Sequence, residues 1–356
     1  MSRQTQAIIH ADAIIQNFKV LAALAPHSQS MAVIKADAYG HGAVNVARML
    51  KHVSPRFAVA IIEEAIALRH AGITAPIIVL EGAHQRKECE MAAAHNCILV
   101  THNEQQLSWI KACAVAERPQ VWLKVDSGMH RLGFSIDDVE DILHKYKHAG
   151  VLNDNSVLVT HLACADDNEN PFTERQIERF MQLAKRTHLG VSVANSPATI
   201  QWPESRGCWN RLGVAVYGGF RETSLSLAPA MTLRSSIIAL RQVPKGESVG
   251  YGQTWTAQQN SKIATVGIGY ADGYPRHCPN GTPVAVNGQP ASLAGRVSMD
   301  MITIDVTHLP NVAIGDSVEL WGENVSIGEV AEAAGTIDYE LMTRVSARVP
   351  RIVKYK

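Results

Sequence analysis

The sequence predicts an α/β protein, with an amino-terminal (β/α)8 barrel of the TIM type followed by a carboxy-terminal, mostly-β domain. Three observations lead to this prediction. Short apolar runs alternate with helix-period segments from Met31 to Arg211, which is typical of a parallel sheet covered by helices. Eight such runs occur, which is the number that a closed barrel needs. After Pro229 the pattern changes to alternating strands with turn sequences.

The eight candidate barrel strands are short, apolar and separated by segments with helical periodicity. They are Met31–Ile34, Phe57–Ala60, Ile77–Leu80, Ile98–Val100, Val121–Val125, Val157–Thr160, Val191–Ala194 and the weaker Cys208–Asn210. The predicted helices include Glu63–His70, His102–Ala116 and Phe172–Leu189. Thr101 and Glu104 have the spacing of a capping box before the second of these helices. A doubly wound open sheet is the alternative, but no Gly-x-Gly-x-x-Gly follows the first strand.

The predicted β domain begins at Pro229 and contains strands joined by hairpin turns. The strands are Met231–Val243, Lys262–Gly269, Thr282–Val286, Met301–Val306 and Asp316–Trp321. Pro-Lys-Gly at 244–246 and Asn-Gly at 280–281 and at 287–288 are the turn sequences. One helix is expected at Ile327–Ala334, ended by Gly335.

These patterns divide the chain into two domains, a barrel at 1–228 and a β domain at 229–356. A length of 356 residues agrees with two domains at ~100–200 residues each. Within residues 1–10, Ala7–His10 resembles a strand and is a candidate to join the sheet of the β domain.

The composition excludes several classes of protein. Lys and Arg total 33 and so do Asp and Glu, and no basic run indicates nucleic-acid binding. No stretch approaches the ~18 apolar residues of a membrane span, and the amino terminus lacks a signal-peptide core. The cysteines are scattered, without the spacing of a disulfide framework or a zinc site. We therefore expect a cytoplasmic protein without a metal centre.

One stretch, Met31 to Gly42, combines an apolar run with a lysine and a polar, glycine-containing loop. A lysine at the end of a buried strand is costly unless it is used, and desolvated lysines form Schiff bases readily. A lysine whose ammonium reaches solvent is an equally good interpretation of Lys35 on this pattern alone. The strand lysine of protein kinases is a third, excluded because residues 1–30 contain no glycine.

Polar side chains follow the other predicted barrel strands as well. The active sites of such barrels lie at the carboxyl ends of the strands, where distant residues meet around one pocket. The residues at these ends are Lys35, Lys124 with Asp126 and Arg131, His161, Asn195 with Ser196, and Arg211.

Glycine- and aromatic-rich strings occur at 249–255, 269–276 and 295–301 of the β domain, and each alone is typical of ordinary turns. Together with the strings at 33–42, 123–134 and 194–196, they stand in the order and spacing of the alanine racemases that depend on pyridoxal 5′-phosphate (PLP). The chain resembles this family from Val33 to about Arg351.

The resemblance implies a racemase that interconverts L- and D-alanine through a PLP external aldimine by a two-base mechanism. Lys35 would carry PLP and act as the base on one face of the substrate. Tyr251, supplied by the partner subunit of a homodimer, would be the base on the other face. Free tyrosine and lysine titrate near ~10 and ~10.4, so the pKa of both must be perturbed for catalysis near neutrality.

The resemblance also assigns binding roles. The cofactor-binding residues would be Lys35, Tyr39, Arg131, His161, Asn195, Ser196, Arg211, Gly213, Val214 and Tyr339. Arg131 and the partner's Met299 would bind the substrate carboxylate, whereas Asp166, Tyr270 and Arg276 would line the access path. Lys124 aligns with a lysine that is carbamylated in some members, and a lysine paired with Asp126 is the equally favoured alternative.

The chain departs from the family pattern at two positions, where Pro197 follows the phosphate-site serine and Leu212 follows Arg211. Proline lacks an N–H, so one backbone donor to the phosphate is lost. The alternatives to alanine racemase are a PLP-dependent decarboxylase of the same fold type, whose motifs are missing, a racemase of broader specificity, and a non-catalytic PLP-homeostasis protein resembling a lone barrel.

Overall fold

The computed structural model describes residues 3–220 and 225–355, and it divides into two compact units. The barrel unit comprises 15–38 and 43–216. The β unit comprises the residues before Ile15, the short segment Tyr39–Gly42, and the chain from Tyr217 onwards.

A parallel sheet of eight strands forms the barrel unit. In sheet order the strands are Trp209–Leu212, Gln29–Val33, Phe57–Val59, Ile77–Val79, Cys97–Thr101, Gln120–Asp126, Val157–Val159 and Gly190–Ser192. A short strand, Phe134–Ser135, adds to Gln120–Asp126. The sheet is nearly closed, because the Arg211 amide donates to the Ala194 carbonyl at 2.9 Å across the remaining gap. All eight strands predicted from the sequence are confirmed.

Helices alternate with these strands and bury one apolar face each. They are Ala11–Ala23, Ala43–Leu50, Ile62–His70, Arg86–Ala94, Glu104–Lys111, Val139–His148, Pro171–Thr187 and Ser196–Gln201, with short 3-10 turns at Val115–Glu117, Pro203–Ser205 and Val214–Tyr217. In Pro171–Thr187 the side chains of Ile177, Phe180 and Leu183 are buried at helical spacing. Each such burial contributes about 1.5–3 kcal/mol to folding, which fixes the helices against the strands.

The predicted capping box at Thr101 is wrong. Thr101 ends a strand and is fully buried, whereas Asn103 caps the helix by accepting the Gln106 amide at 2.9 Å. The helix ends at Lys111 instead of Ala116, and a separate 3-10 turn follows. Because Thr101 pairs within the sheet, the helix begins only at Glu104.

A second sheet forms the core of the β unit. Its strands, in sheet order, are Ser261–Val266, Ile302–Asp305, Gln289–Leu293, Pro283–Val286, Ser317–Trp321, Met231–Val243, Gln6–His10 and Arg351–Lys354. Ser261–Val266 also pairs with the long strand Met231–Val243, so the first six strands close on themselves. Gln6–His10 pairs with Met231–Val243 and, in parallel, with Arg351–Lys354.

Two α-helices and a small two-stranded ribbon also belong to the β unit. The helices are Ile327–Ala333, followed by Gly335 at φ +64°, and Asp338–Arg344. Ser248–Val249 pairs with Trp255–Thr256 around the Tyr251 turn. The sequence predicts the first helix but neither Asp338–Arg344 nor the strands Gln289–Leu293 and Arg351–Lys354.

The two Asn-Gly turns have different outcomes. Asn287 and Gly288 adopt φ of 49° and 79° and join two paired strands, as predicted. The prediction of a hairpin at Asn280–Gly281 is wrong, because the Asn280 side chain instead bonds the Thr254 carbonyl and the Gly295 amide. Over 3–220 and 225–355, the helices are too short or too polar to cross a bilayer.

Gly40 illustrates how tightly the β unit is packed. Its φ is +79°, and a Cβ placed there would lie 2.2 Å from the Met342 carbonyl oxygen. Gly72 has a similar φ of +83°, but a Cβ there would meet nothing within 4 Å. A comparison of the two glycines therefore distinguishes the cost of backbone strain from the cost of tight packing.

We expect Gly40→Ala to destabilise the protein more than Gly72→Ala. Both substitutions cost about 1–2 kcal/mol of left-handed backbone strain, and Gly40→Ala adds about 1–3 kcal/mol of overpacking. Urea unfolding of the two variants and the wild type measures the difference. Equal losses of unfolding free energy at the two positions would show that the Met342 carbonyl moves aside without a free-energy cost.

Candidate active site

Lys35 lies between the first barrel strand and a left-handed turn. The strand ends at Val33, and the four residues from Ala36 to Tyr39 have φ between 50° and 54°. Consecutive L-residues in this conformation cost roughly 1–2 kcal/mol each, so surrounding contacts must hold them there. The sequence predicts a loop here but not its hand, because none of the four residues is glycine.

Hydrogen bonds to two carboxylates hold this turn in place. Glu64 Oε1 accepts the Ala36 amide at 2.6 Å, and its Oε2 accepts the Ala60 amide at 2.7 Å. Asp37 Oδ1 accepts the Ala43 amide at 2.7 Å. Glu64 thus ties the Lys35 turn to the end of the neighbouring strand. Sequence reasoning missed Glu64, whose only signal is an acidic residue in the first turn of a helix.

The environment of Lys35 favours the uncharged amine. Burial lowers the pKa of Lys35 most, and the positive charges of Arg131 and Arg211 lower it further. Glu81 and Glu64 offset part of this effect. An amine with a lowered pKa is the nucleophile that Schiff-base formation needs.

Arg211 is the most buried cation of the barrel unit, with 6% of its surface exposed. Nη1 donates to the Ser192 carbonyl and hydroxyl at 2.8 Å, and Nη2 donates to the carbonyls of Thr160 at 2.7 Å and Val193 at 3.0 Å. Burial lowers its pKa to about 10, so the guanidinium stays charged at neutrality. Within the described residues Nε has no protein acceptor, which leaves one charged donor for a ligand.

His161 lies beside Arg211, with Nδ1 at 3.3 Å from Nη2. Burial first, and then the charges of Arg211, Arg131 and Lys124, hold the pKa of His161 well below its usual value. The ring is therefore neutral at neutral pH.

Lys124 is the second perturbed lysine of the barrel. Burial lowers its pKa to about 8, and the charges of Arg211 and Arg131 add to the effect. Its Nζ donates to the carbonyls of Val125 at 3.0 Å and Leu132 at 3.3 Å. The ion pairs found in the described chain do not include the predicted alternative, Lys124 with Asp126.

Asp126 instead orders the loop that leads to Arg131. Its Oδ1 accepts the amides of Gly128 at 2.9 Å and His130 at 3.1 Å, and its Oδ2 lies 3.2 Å from His130 Nδ1. Arg131 is exposed, and its guanidinium makes no hydrogen bond within the parts of the chain described here. It is thus available for an anionic ligand.

Asn195, Ser196 and Gly213 lie together at the ends of two strands. Asn195 Oδ1 caps the helix Ser196–Gln201 by accepting the Ala198 amide at 3.0 Å. The Gly213 amide donates to the buried Ser196 hydroxyl oxygen at 2.7 Å, which leaves the hydroxyl hydrogen for another acceptor. Pro197 occupies the first helical turn, where an N–H has no intrahelical partner.

The β unit holds a separate cluster of aromatic rings. The Tyr39 ring centroid lies 5.0 Å from Tyr217 and 6.0 Å from Tyr339, and His41 stacks on Tyr217 at 4.6 Å. Burial raises the pKa of Tyr39, which therefore stays a neutral hydroxyl donor. Sequence reasoning named Tyr39 and Tyr339 but missed Tyr217.

Four bulky residues in or beside the motif strings of the β unit are exposed. Tyr251 is 69% exposed, Met299 54%, Met301 43% and Tyr270 40%. The Tyr270 amide donates to the Ser298 carbonyl at 3.0 Å, so the strings at 269–276 and 295–301 lie side by side. Arg276, in the β unit, and Asp166, in the barrel unit, are also exposed.

A cavity of about 670 Å³ opens at the amino ends of the barrel strands. Arg56, Trp122 and Trp209 line it, and none of the predicted site residues does. The predicted residues follow the strands at their carboxyl ends instead, where the chemistry of such barrels is found.

Two family models match this chain. One describes the amino-terminal domain of alanine racemase and matches residues 9–220, and the other describes the carboxy-terminal domain and matches residues 230–353. A lone barrel of the PLP-homeostasis type has no second domain, so this alternative is set aside.

Curated relatives and solved structures agree with the family models. The chain is 68% identical to an alanine racemase of Alteromonas mediterranea over 100% of both sequences. The biosynthetic alanine racemase of Pseudomonas aeruginosa superposes with a TM-score of 0.94 at 42% identity and covers 99% of both chains.

A third relative is the alanine racemase of Bartonella henselae, whose crystal structure has covalently bound pyridoxal phosphate. It superposes with a TM-score of 0.89 at 28% identity over 99% of both chains. The matches extend over both units and nearly every residue, and the chain therefore belongs to the alanine racemase family.

Proposed function

We propose that this protein interconverts L- and D-alanine with PLP as its cofactor. The observation that carries the proposal is the match to alanine racemase along the whole chain, at 68% identity to a curated member. The barrel unit supplies a lysine with a lowered pKa and a buried arginine with an unused donor, which are the groups that this cofactor needs.

We assign Lys35 and Arg211 to the two ends of the cofactor's pyridine ring system. The uncharged Lys35 amine would condense with the aldehyde, and Arg211 Nε would donate to the ring nitrogen. Because Arg211 does not give up its proton near neutrality, the ring nitrogen would accept a hydrogen bond without being protonated. Neutral His161 would lie beside the ring.

The phosphate would be held by hydroxyl and backbone donors instead of a cation. The Ser196 hydroxyl has a hydrogen left to donate, and Asn195 orders the turn in which it lies. We assign further contacts to the hydroxyls of Tyr39 and Tyr339 and to the backbone at Gly213 and Val214. In the structure the Gly213 amide bonds the Ser196 hydroxyl oxygen, which supports a place for both groups at the phosphate.

The two bases are assigned to Lys35 and Tyr251. PLP, when bound, supplies the aldehyde that captures the substrate amine and a conjugated ring that accepts the electron pair released at Cα. The Lys35 amine would move the α-proton on one face, and the Tyr251 hydroxyl would do so on the other. Two groups on opposite faces invert the configuration without turning the substrate.

The substrate carboxylate requires a cation, and Arg131 is exposed and makes no hydrogen bond through its guanidinium in the described residues. We assign Arg131 and Met299 to the carboxylate site, and Asp166, Tyr270 and Arg276 to the access path.

We further propose a cytoplasmic homodimer with shared active sites, and domain limits at 1–228 and 229–356. The exposure of Tyr251 and Met299 supports the dimer, because a proton-transfer group in open solvent does not exclude water. A partner subunit that covers these residues would complete a dry site. The 230–353 match supports the domain limit.

Lys124 is a candidate for carbamylation. An amine whose pKa is about 8 is partly uncharged at neutral pH and is able to add CO2. Arg211 and Arg131 place positive charge near Lys124. An anionic carbamate would offset that charge. Without the modification the buried ammonium of Lys124 carries a desolvation cost.

We expect unmodified Lys124 to make stability rise with pH between about 8 and 10.5. The unfolded chain binds this proton more tightly than the folded one, so deprotonation relieves up to about 3 kcal/mol. Thermal or urea unfolding of wild type and Lys124→Met across this range isolates the effect. Identical pH dependence in the two proteins would indicate that Lys124 is carbamylated.

The two-base assignment predicts that Tyr251→Phe lowers racemisation by about 100-fold or more. Incubation with each enantiomer in D2O tests the two faces of the substrate separately. The uptake of α-deuterium should fall more from one enantiomer than from the other. Tyr355→Phe is the control, because that tyrosine is similarly exposed at 67%. Unchanged uptake from both enantiomers in Tyr251→Phe would exclude Tyr251 as a base.

Shared active sites predict complementation between inactive chains. Lys35→Ala and Tyr251→Phe should each lack racemase activity, but in mixed dimers one of the two sites receives both native residues. After subunit exchange we expect about one quarter of wild-type activity. Mixtures that stay inactive, although mass spectrometry shows mixed dimers, would place both bases in one chain.

A further inference from the structure

We propose that the buried carboxylate of Asp272 is a positioning residue, which holds the Tyr270 segment against the Met299 segment and so limits the size of the substrate side chain. The Tyr270 segment comprises 269–274, and the Met299 segment comprises 298–301. The inference deepens the proposed function and rests on it for the role of these two segments.

Asp272 is fully buried, although it carries a charge. Arg3 binds it in a bidentate manner, with Nη1 at 2.7 Å from Oδ1 and Nη2 at 2.6 Å from Oδ2. Oδ2 also accepts the Gly269 amide at 3.0 Å. A buried carboxylate needs such partners, and paired hydrogen bonds to arginine fix its orientation as well as its charge. The bond from the Gly269 amide to the Asp272 side chain therefore closes the turn at the start of the Tyr270 segment.

The closed segment contacts the Met299 segment through the backbone. The Tyr270 and Ala271 amides donate to the carbonyls of Ser298 and Met299, both at 3.0 Å. Gly269 is in such close contact that a Cβ there would lie 2.4 Å from the Met299 carbonyl oxygen. Any movement of the first segment therefore moves the second.

Arg348 joins the two segments a second time. Its Nε lies 3.6 Å from Asp272 Oδ1, and its Nη2 donates to Asp300 Oδ1 at 2.7 Å. The Ser346 amide donates to the Asp272 carbonyl at 2.9 Å, which fixes the chain that carries Arg348. Two arginines from opposite ends of the sequence thus converge on one carboxylate.

The consequence for substrate choice follows from the residues that these segments carry. Tyr270 and Met299 are the bulky side chains assigned to the access path and the carboxylate site. The backbones of the two segments are joined by the Tyr270 and Ala271 amides, which lie in the turn that the Asp272 carboxylate closes. Discrimination against one extra methylene requires walls that do not yield, and it is typically worth ~10–200-fold.

The first test measures the two segments directly by hydrogen exchange in the full-length holoenzyme. Asp272→Asn keeps the shape of the side chain but removes the charge that binds Arg3 and Arg348. We expect faster exchange of the amides of both segments in this variant, and also in Arg348→Met. Thr5→Val is the matched control, since it removes the hydrogen bond from the buried Thr5 to the nearby Gly267 carbonyl without touching Asp272.

The second test measures selectivity as the ratio of kcat/KM for 2-aminobutyrate to kcat/KM for alanine. This ratio is independent of the fraction of correctly folded enzyme, so a loss of stability alone does not change it. We expect Asp272→Asn to raise the ratio by up to ~10-fold through a weaker steric limit. Thr5→Val should keep the wild-type ratio.

Two results would overturn the proposal. One is unchanged exchange of both segments in Asp272→Asn. The other is faster exchange with the wild-type selectivity ratio, which would leave the carboxylate as a purely structural group. If the wild type does not racemise alanine at all, the proposed function fails, whereas the exchange experiment still decides whether Asp272 holds the two segments.

Discussion

The electrostatics of the barrel unit depend on a single buried cation, Arg211. Its charge is stabilised by carbonyl groups and one hydroxyl, without a carboxylate partner in the described residues. A positive charge held in this way acts on every titratable neighbour. It helps to lower the pKa of Lys35, Lys124 and His161 in addition to the effect of burial. Burial, together with the charges of Arg211 and Arg131, thus lowers the pKa of the lysine and the imidazole on which the proposed chemistry relies.

The backbone of the Lys35 turn is the second constraint. Four consecutive left-handed residues store strain that the contacts of Glu64 and Asp37 must offset. Such a turn cannot adjust its shape without losing these hydrogen bonds. Lys35 is therefore presented from a rigid position, which suits a residue assigned first to hold a cofactor and then to transfer a proton.

Prediction from sequence succeeded where a local pattern had one structural meaning. The eight apolar runs form the predicted buried strands, and the Asn287–Gly288 turn forms the predicted hairpin. It failed where long-range partners decided the outcome. Asn280 has the same turn sequence but bonds Thr254 and Gly295 instead. Thr101 is hydrogen-bonded within the barrel sheet and therefore does not cap the helix that follows.

The sequence alone determined the barrel, the β domain and the residue types of the site, because apolar periodicity and motif spacing are local properties of the chain. Only the tertiary structure decided which of these groups are charged, since a pKa depends on burial and on neighbours distant in sequence. It also revealed Glu64, Tyr217 and the Asp272 carboxylate with its two arginines. Their roles come from contacts such as Arg3 with Asp272, which no local pattern encodes.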